Sequence, residues 1–301
     1  EFVWGHTLYH IKDIPFKIRD FPDVFTSFRK KTENVARVRE LIVTPERIQF
    51  PKGISIGSLP TINELGFEST AFDQRGVLEF KGGSGAAKDR IQHYFWDSQK
   101  LRNYKQTRNG LLGADYSAKL SPWLANGSLS PREVYFEIQK FETQITKNES
   151  TYWLVFELIW RDFFRFHAAK AGNRMFKLRG LKENVPSLRA DLERFEIWRK
   201  GTTTNDFINA NMKELLQTGW MSNRGRQVVA SNLVHDLGVD WRLGAAWFES
   251  MLIDYDPCSN YGNWQYVAGV GTDPRKERYF NIDNQVARYD PEKKFIRHWL
   301  S

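Results

Sequence analysis

Helical periodicity is the feature that most limits what this chain can fold into. From Gly82 onward, apolar residues recur at the three- and four-residue spacing of amphipathic helices, and strand-like alternation is almost absent. Gly238 follows one of these patterns as a helix C-cap signal. The clearest patterns cover residues 152–169, 205–216, 222–237 and 241–253. Together they predict a mostly α-helical domain over residues 81–301.

Residues 1–80 have a different composition. Proline and glycine interrupt the stretches IPFKIRDFP, TPERIQFPKG and GSLPTINELG, which predicts an irregular arm. An irregular stretch of this length is uncommon inside a compact domain. We therefore expect residues 1–80 to wrap a surface or to act as a linker.

Composition favours an intracellular globular protein. Of 301 residues, 41% are apolar and 27% are charged, and no apolar run approaches the ~20 residues that span a bilayer. The first residues do not resemble a signal peptide, which leaves chloroplast or another organelle, nucleus and cytoplasm open. The lone Cys258 excludes an internal disulfide, and the six histidines show no metal-ligand spacing. We expect neither a membrane span nor a bound metal.

Charge and aromatic content both point to a nucleic-acid or planar ligand. The net charge of +8 favours a polyanion. The 11 tryptophans and 22 phenylalanines favour stacking on a planar ring or base. An inert basic surface and ordinary core packing are the alternatives.

A polar loop dotted with glycine covers residues 107–132 and leads into a helical pattern. The hydroxyl groups of Ser117 and Ser121 and the ammonium group of Lys119 suit a phosphate, with backbone N–H groups assisting. The alternative is an ordinary polar loop whose serines cap helices.

Two helical patterns carry polar groups typical of recognition sites. Glu157 lies one turn from Trp160 and Arg161, an arrangement that suits hydrogen-bond donors on a base. The alternative is an i, i+4 ion pair between Glu157 and Arg161. The stretch SNRGRQ, residues 222–227, places amide and guanidinium groups where a polyanion could bind, or on a solvated helix face.

The stretch DYDPCSNYGNW, residues 254–264, combines two acids, an amide and a large aromatic ring. Acids spaced by two residues occur in metal sites, in ribose-binding sites and in turn caps. The residues by themselves leave these three interpretations open.

Six stretches together resemble the photolyase/cryptochrome family, and the DASH-type cryptochromes within it. They are RNGLLGADYS, SPWLANGSLSPR, ELIWRDFFRF, SNRGRQ, IDYDPCSNYGNW and GVGTDPRKERYFN. The resemblance implies a helical domain that binds a U-shaped FAD. VWGHTLYH, near the start, resembles the last strand of the family's α/β antenna domain, so residues 1–80 match the interdomain linker. An antenna pigment is not expected, because its domain is absent from this sequence.

The resemblance also implies which residues surround FAD. Asp254 is expected to pair with Arg226 beside the flavin, and Asp256 to lie near the ring edge and the ribityl chain. Asn260 is expected to face flavin N5. The residues expected at the phosphates are Tyr104, Ser117, Lys119 and Ser121.

Three tryptophans match the electron-transfer chain of this family. Trp264 matches its first member, Trp241 the second and Trp198 the third. Closely spaced indoles could carry an electron from the surface to the excited flavin. The alternative is that all three simply pack in the core.

A further group matches the residues that hold a DNA lesion. These are Glu157, Trp160, Asn223, Arg224, Gln227 and Tyr266. Glu157 is expected to hydrogen-bond a thymine dimer and stabilise its radical anion, and Trp160 to stack on it. Gln227 and Tyr266 occupy positions where DASH members differ from double-strand photolyases, which implies a preference for lesions in single strands.

The sequence departs from the family pattern near the expected cavity. Ala118 stands where a second phosphate-binding hydroxyl is usual, a loss of about 1 kcal/mol. Thr204, Asp206 and Asn209 stand in place of a turn glycine, a proline and an aspartate. GGSGAA, residues 82–87, lacks the acid that commonly follows the paired glycines.

The resemblance therefore implies an enzyme of the photolyase type or a blue-light receptor. Its expected substrate is a cyclobutane pyrimidine dimer in single-stranded or damaged DNA. The alternative is a photolyase-derived scaffold without activity, a subunit of a larger and possibly organellar assembly. Its protein partner would dock on the face left by the absent antenna domain.

Overall fold

A computed structural model of the chain describes residues 4–55, 57–68, 71–183, 186–275 and 278–301. Within these ranges the secondary structure is helical, and the β-pairing is limited to a parallel bridge between Arg189 and Val239. The prediction of a mostly α-helical fold is confirmed. None of the helices in these ranges is long and apolar enough to cross a membrane.

The α-helices are α1 (Phe25–Val35), α2 (Gly83–Ile91), α3 (Tyr104–Thr107), α4 (Ser121–Asn126), α5 (Pro131–Gln144), α6 (Glu149–Ala171), α7 (Leu192–Arg199), α8 (Asp206–Thr218), α9 (Asn223–Ser231), α10 (Trp241–Met251), α11 (Pro257–Val267), α12 (Ile282–Tyr289) and α13 (Lys294–Leu300). One π-helical turn continues α2 through Gln92–Asp97, and another continues α9 through Asn232–Asp236. Short 3₁₀ turns occupy Ile18–Asp20, Lys100–Asn103 and Gly172–Phe176.

Local sequence explains where the longest helices begin. Ser130 and Glu133 form a capping box at the start of α5, and Asn148 caps α6. Asn205 accepts hydrogen bonds from the first turn of α8. These caps lie within a few residues of the predicted boundaries, whereas α1, α11, α12 and α13 were not predicted.

Two hydrophobic clusters form the core. In the first, Phe163 and Phe166 of α6 pack against Phe21 and Phe28. The second cluster gathers buried side chains of α7, α8, α10, α11 and α13, among them Trp198 and Trp241. The functional cavities described below are lined by α6 of the first cluster and by helices of the second.

The two halves of the 1–80 arm differ. Its first half contains α1 and buries Phe25 and Phe28 against α6, so it holds more regular structure than predicted. In the second half Ile42, Val43 and Leu59 are exposed, Leu59 to 94%. The boundary near residue 80 stays a prediction.

A buried carboxylate fixes the start of the described chain to α6. Residues 4–10, which resemble the end of a strand, form bends instead. Asp162 of α6 accepts hydrogen bonds from the backbone N–H groups of Leu8, at 2.9 Å, and Tyr9, at 2.8 Å. Burial raises the pKa of Asp162 to about 7, although both hydrogen bonds oppose the shift.

Replacing Asp162 tests this attachment. Asp162→Ala should lower the free energy of unfolding by about 2–4 kcal/mol, because two buried N–H groups lose their acceptor. The pKa of Asp162 rises on folding from 3.8 to about 7, so the folded form binds the extra proton and wild-type stability falls as the pH rises through that window. Denaturant unfolding should therefore show that Asp162→Ala loses more stability at the low-pH end of this window than at a pH above the window.

Asp283→Ala on the exposed side of α12 is the control, and it should change stability by less than about 0.5 kcal/mol. Equal losses in the two variants would contradict the assigned role of Asp162.

Candidate ligand-binding site

Two adjoining cavities form the candidate site. The first, of about 130 Å³, is lined by α9, α10, α11 and the chain between the last two. The second, of about 260 Å³, is lined by the 104–121 region, α6 and α9. Both are lined by Asn223, Arg226 and Asp254. The two cavities therefore adjoin at these three residues.

An ion pair occupies the junction of the cavities. The Nη2 atom of Arg226 donates to both carboxylate oxygens of Asp254 at 3.0 Å. The Nε atom of Arg226 donates to the Met221 carbonyl at 2.9 Å, and the guanidinium lies over the Trp220 ring. Asp254 is buried. The pair is the one that the resemblance implied.

Helix α11 explains the spacing of the DYDPCSNYGNW stretch. Asp256 caps the helix by accepting from the Ser259 N–H at 2.8 Å. Asn260 and Trp264 follow at four-residue intervals, so all three share one face, and all line the first cavity. Asn260 donates its Nδ2 to the Ala245 carbonyl at 2.9 Å, which leaves its amide oxygen as an acceptor. Of the three interpretations, turn capping is present, and the described residues contain no cluster that could hold a metal.

Two side chains distant in sequence lie beside Asp256. The Nη2 atom of Arg165 donates to it, and His6 lies 3.7 Å from the same oxygen. Burial raises the pKa of Asp256, but His6, Arg165 and Ser259 outweigh burial and hold the pKa below its usual range. Asp256 therefore stays a carboxylate. The sequence analysis missed His6 and Arg165, because no local pattern links them to this helix.

The second cavity gathers the residues expected at the phosphates. Tyr104, Ser117, Lys119 and Ser121 all line it, together with Ala118. Three of these residues carry hydroxyl groups.

The ammonium group of Lys119 is directed into its own loop. It donates to the carbonyls of Gly113, at 3.3 Å, and Ala114, at 2.9 Å, and lies over the Tyr116 ring. Burial lowers the pKa of Lys119 well below its usual value. Its expected contact with a phosphate stays a prediction, and it would require the side chain to exchange these partners.

Glu214 of α8 is a buried carboxyl near this cavity that the sequence analysis missed. It lies beside Lys119, Arg226 and the backbone of Ser222. Burial raises its pKa to about 8, and the two cations oppose this only in part. Burial therefore favours the protonated form of Glu214. On the sequence it is one of several polar residues in its helix, with no signal that marks it.

Glu157 lines the second cavity, but its partner is not Arg161. The Nη2 atom of Arg108 lies 2.7 Å from its Oε1, and the Trp153 indole N–H donates to the same oxygen. Burial raises the pKa of Glu157 despite these contacts. The alternative i, i+4 pair is wrong, because Arg161 instead donates to the carbonyls of His6 and Leu124.

Trp160 lies beside the cavities without lining either of them. Phe25 stacks on one face of its ring, with centroids 3.6 Å apart. The Tyr266 ring is nearly perpendicular to the Trp160 ring, with the ring centroids 6.0 Å apart. One face of Trp160 is therefore occupied by the arm, and its stacking on a lesion stays a prediction.

Several polar side chains surround the mouth of the first cavity. Asn223, Gln227 and Tyr266 line it, and so does Arg278, which was not predicted and which lies 4.4 Å over the Tyr266 ring. Arg224 lies nearby, over Tyr289. Burial and the neighbouring guanidinium groups, including Arg108 and Arg278, lower the pKa of Arg224. Arg278 is paired with the buried Asp273 at 2.7 Å, and Arg224 does not line either cavity.

The departures in the 201–211 stretch lie away from the cavity walls. Thr204, Asp206 and Asn209 do not line either cavity. The Asn209 amide oxygen accepts from the Thr203 N–H and hydroxyl, both at 2.8 Å, and Asn205 caps α8. These residues form their own helix start. The expectation that this stretch lies close to the flavin and the cavity wall stays a prediction.

The three tryptophans of the expected electron path are all buried. Trp198 and Trp241 are 0% exposed, and Trp264 is 2% exposed. Trp264 lines the first cavity, and its ring lies 6.2 Å from the Trp198 ring. Gly244, one turn after Trp241, allows Trp264 to lie against α10, because a Cβ there would collide with the indole. Trp198 therefore does not provide a surface end to the path.

Comparison with known proteins agrees with this geometry. Residues 153–301 match the FAD binding domain of DNA photolyase. Cryptochrome DASH, chloroplastic/mitochondrial, of Oryza sativa subsp. japonica is 50% identical over 306 residues, which cover 100% of this chain and 52% of that protein. Cryptochrome DASH of Danio rerio is 50% identical, with 99% of this chain and 58% of that protein covered.

Solved structures show the same fold. The Synechocystis sp. PCC6803 cryptochrome superposes with a TM-score of 0.94 at 51% identity, over 99% of this chain and 62% of that one. A photolyase from Sulfolobus tokodaii, solved with two FAD molecules, gives 0.75 at 31% identity, over 99% and 61%. The chain thus spans about half to three-fifths of the length of these relatives. It belongs to the photolyase/cryptochrome family and carries that family's helical FAD-binding domain.

Proposed function

We propose that the two joined cavities hold one FAD, with its phosphates in the second cavity and its flavin in the first. The observation that carries this is the distribution of polar groups on either side of Arg226. Hydroxyl groups of Tyr104, Ser117 and Ser121 line the second cavity. An amide, acids and an indole line the first, a set that suits a polar, oxidisable ring system.

When bound, FAD supplies a light-absorbing centre that can accept or donate an electron. The chain orients and tunes that centre. Arg226 is a fixed positive charge at the junction, and Asp256 is a carboxylate held by His6 and Arg165. The Asn260 amide oxygen is available as an acceptor one helical turn away.

The proposed activity is blue-light-driven splitting of a cyclobutane pyrimidine dimer, or photoreception based on the same light absorption. Glu157 supports the first. The contacts of Arg108 and Trp153 are both with Oε1, which leaves Oε2 for a substrate. Burial raises the pKa of Glu157, while Arg108 and Trp153 oppose the shift. When Oε2 carries a proton, it can donate to a pyrimidine carbonyl and stabilise negative charge that develops on it.

The proposed nucleic-acid partner is single-stranded or damaged DNA. Arg278 lines the first cavity, where it is paired with Asp273, and Arg224 lies close enough to Arg278 for their charges to interact. A phosphate backbone could bind Arg224 directly and Arg278 in competition with Asp273. Asn223 and Gln227 offer amide groups beside them. A base that is already unpaired reaches such a cavity at less cost than one in a duplex.

The scaffold alternative predicts a protein that does not retain FAD. The polar lining of both cavities favours FAD binding, since an abandoned site has no need of a buried ion pair. Exposed apolar side chains at Ile42, Val43 and Leu59 are the surface that a protein partner would cover. An organellar location stays a prediction; the plant relatives are named chloroplastic/mitochondrial.

Loss of the junction cation should weaken FAD binding. Arg226→Gln leaves Asp254 buried without its partner, and we expect the Kd for FAD to rise about tenfold or more, which is about 1.4 kcal/mol. Arg19→Gln, which breaks an exposed pair with Asp20, is the matched control and should leave the Kd unchanged. Flavin fluorescence titration measures both. An unchanged Kd for FAD in Arg226→Gln would show that the Arg226–Asp254 pair does not contribute to FAD binding.

Loss of the cavity-lining indole should stop light-driven reduction. Trp264→Phe should retain FAD but lose photoreduction in the presence of an external reductant, because the ring nearest the proposed flavin position can no longer be oxidised. Trp96→Phe, whose ring contacts Phe141 on the α5 side, should behave as wild type. Blue-light bleaching of the flavin band is the measurement, and normal bleaching in Trp264→Phe would show that the path is wrong.

Loss of the Glu157 carboxyl should reduce repair without loss of FAD. We expect Glu157→Ala to slow dimer splitting in single-stranded DNA by about 10²-fold, because no group is left at the Oε2 position to stabilise charge on the dimer. Glu137→Ala is the control, since Glu137 also accepts from an indole N–H, that of Trp96. A repair assay under continuous blue light compares them. Equal rates in both variants and wild type would exclude Glu157 from the reaction.

A further inference from the structure

The buried indoles leave open where an oxidised tryptophan is reduced. The N–H of Trp241 donates to the Leu178 carbonyl at 3.0 Å, and that of Trp198 donates to the Val229 carbonyl at 3.0 Å. A backbone carbonyl cannot take up a proton at physiological pH. An oxidised indole at either position therefore keeps its proton and its positive charge, and needs a neighbouring electron donor.

Tyr261 lies beside Trp241. The ring centroids are 6.2 Å apart and the planes meet at 78°, an edge-to-face contact. Tyr261 and Trp264 are one turn apart on α11, so the helix that presents Trp264 to the cavity also presents Tyr261 to Trp241. An aromatic donor thus adjoins the second indole of the path.

Tyr261 also has a proton acceptor. Its hydroxyl donates to the Oε2 of Glu249 at 2.9 Å. Burial and the Glu249 carboxylate raise the pKa of Tyr261 to about 12, so the phenol is protonated before it is oxidised. Glu249 itself is exposed on α10 and can pass a proton to solvent.

We propose that Tyr261 is the terminal electron donor of this chain and that Glu249 is its proton acceptor. One electron moves from the phenol of Tyr261 to the indole radical cation of Trp241, and the hydroxyl proton moves to Glu249 Oε2. The products are neutral Trp241, a neutral tyrosyl radical and a protonated Glu249. The oxidant is the Trp241 radical cation, so this step rests on the proposed path through Trp264 and Trp241.

Two other side chains are poorer donors. Trp198 contacts Trp264 directly but is fully buried and has only a carbonyl partner. Trp247 is partly exposed, but the guanidinium of Arg199 lies 4.9 Å over its ring. A cation at that position opposes the positive charge of an oxidised indole. Of these three side chains, Tyr261 is the one whose proton has a carboxylate to move to. Tyr255 also hydrogen-bonds Glu249, but it is Tyr261 whose ring contacts Trp241.

Transient absorption and electron paramagnetic resonance after a blue-light pulse test the proposal on FAD-loaded protein. Wild type should show a tryptophan radical that decays as a tyrosyl radical forms, and this step should be slower in D₂O because a proton moves with the electron. Tyr261→Phe should lose the tyrosyl signal and leave a longer-lived tryptophan radical. In Glu249→Gln, Tyr261 is still present as the electron donor, but its electron transfer to the tryptophan radical should be slower.

Tyr279→Phe is the matched control, because its hydroxyl also bonds to a carboxylate, Asp236, while its ring lies beside His235. It should match wild type. A tyrosyl signal that survives in Tyr261→Phe, or no tyrosyl signal in wild type, would overturn the proposal. If Trp264→Phe still loses photoreduction, either of those results would overturn only the role of Tyr261, and the proposed path through Trp264 would stand. If photoreduction is unchanged in Trp264→Phe, the path itself would be overturned.

A measurement on protein without FAD separates the donor from the flavin. An ultraviolet pulse photoionises tryptophan directly, and the fraction of tryptophan radicals that decay to tyrosyl should fall in Tyr261→Phe and not in Tyr279→Phe. An equal fraction in both variants would contradict contact transfer from Tyr261.

Discussion

The Arg226–Asp254 ion pair is the interaction on which the site depends. It lies where the two cavities meet, and it joins α9 to the segment before α11. A buried ion pair stabilises a fold only when both partners stay in register, and removal of one is costly because the other stays charged and buried. The hydrogen bond from Arg226 to the Met221 carbonyl supplies further geometric restraint. The pair therefore fixes the relative position of the walls that a ligand spanning both cavities would contact.

Helix α11 converts a short sequence into a chemical arrangement. Its four-residue spacing brings a carboxylate, an amide and an indole to one cavity wall, while Tyr261 reaches Trp241 and Glu249 on α10. Gly244 permits the close contact between α10 and Trp264. The same two helices thus hold the proposed cofactor wall and the proposed electron donor, so a shift between them would disturb both.

The sequence predicted the helical class, and the resemblance named several of the residues that line the two cavities. The reasons for the failures are physical. Periodicity located α6, α8, α9 and α10 because their apolar faces pack on a core. It missed α11, whose two sides are both buried in part, so it has no single apolar face. Resemblance placed the expected FAD residues along two joined cavities. It could not show that Lys119 donates to its own loop, that Phe25 covers one face of Trp160, or that Trp198 is buried, since these depend on contacts between distant segments. His6, Arg108, Arg165 and Glu214 were missed for the same reason.

The most direct test of the central claim is the stoichiometry of FAD in the purified protein after reconstitution. The account predicts one FAD per chain, seen as a flavin absorption band that co-elutes with the protein and that bleaches under blue light with a reductant present. A protein that stays colourless after incubation with excess FAD, although its circular dichroism shows the helical fold, would contradict it. The joined cavities would then be a remnant of the family fold without its cofactor.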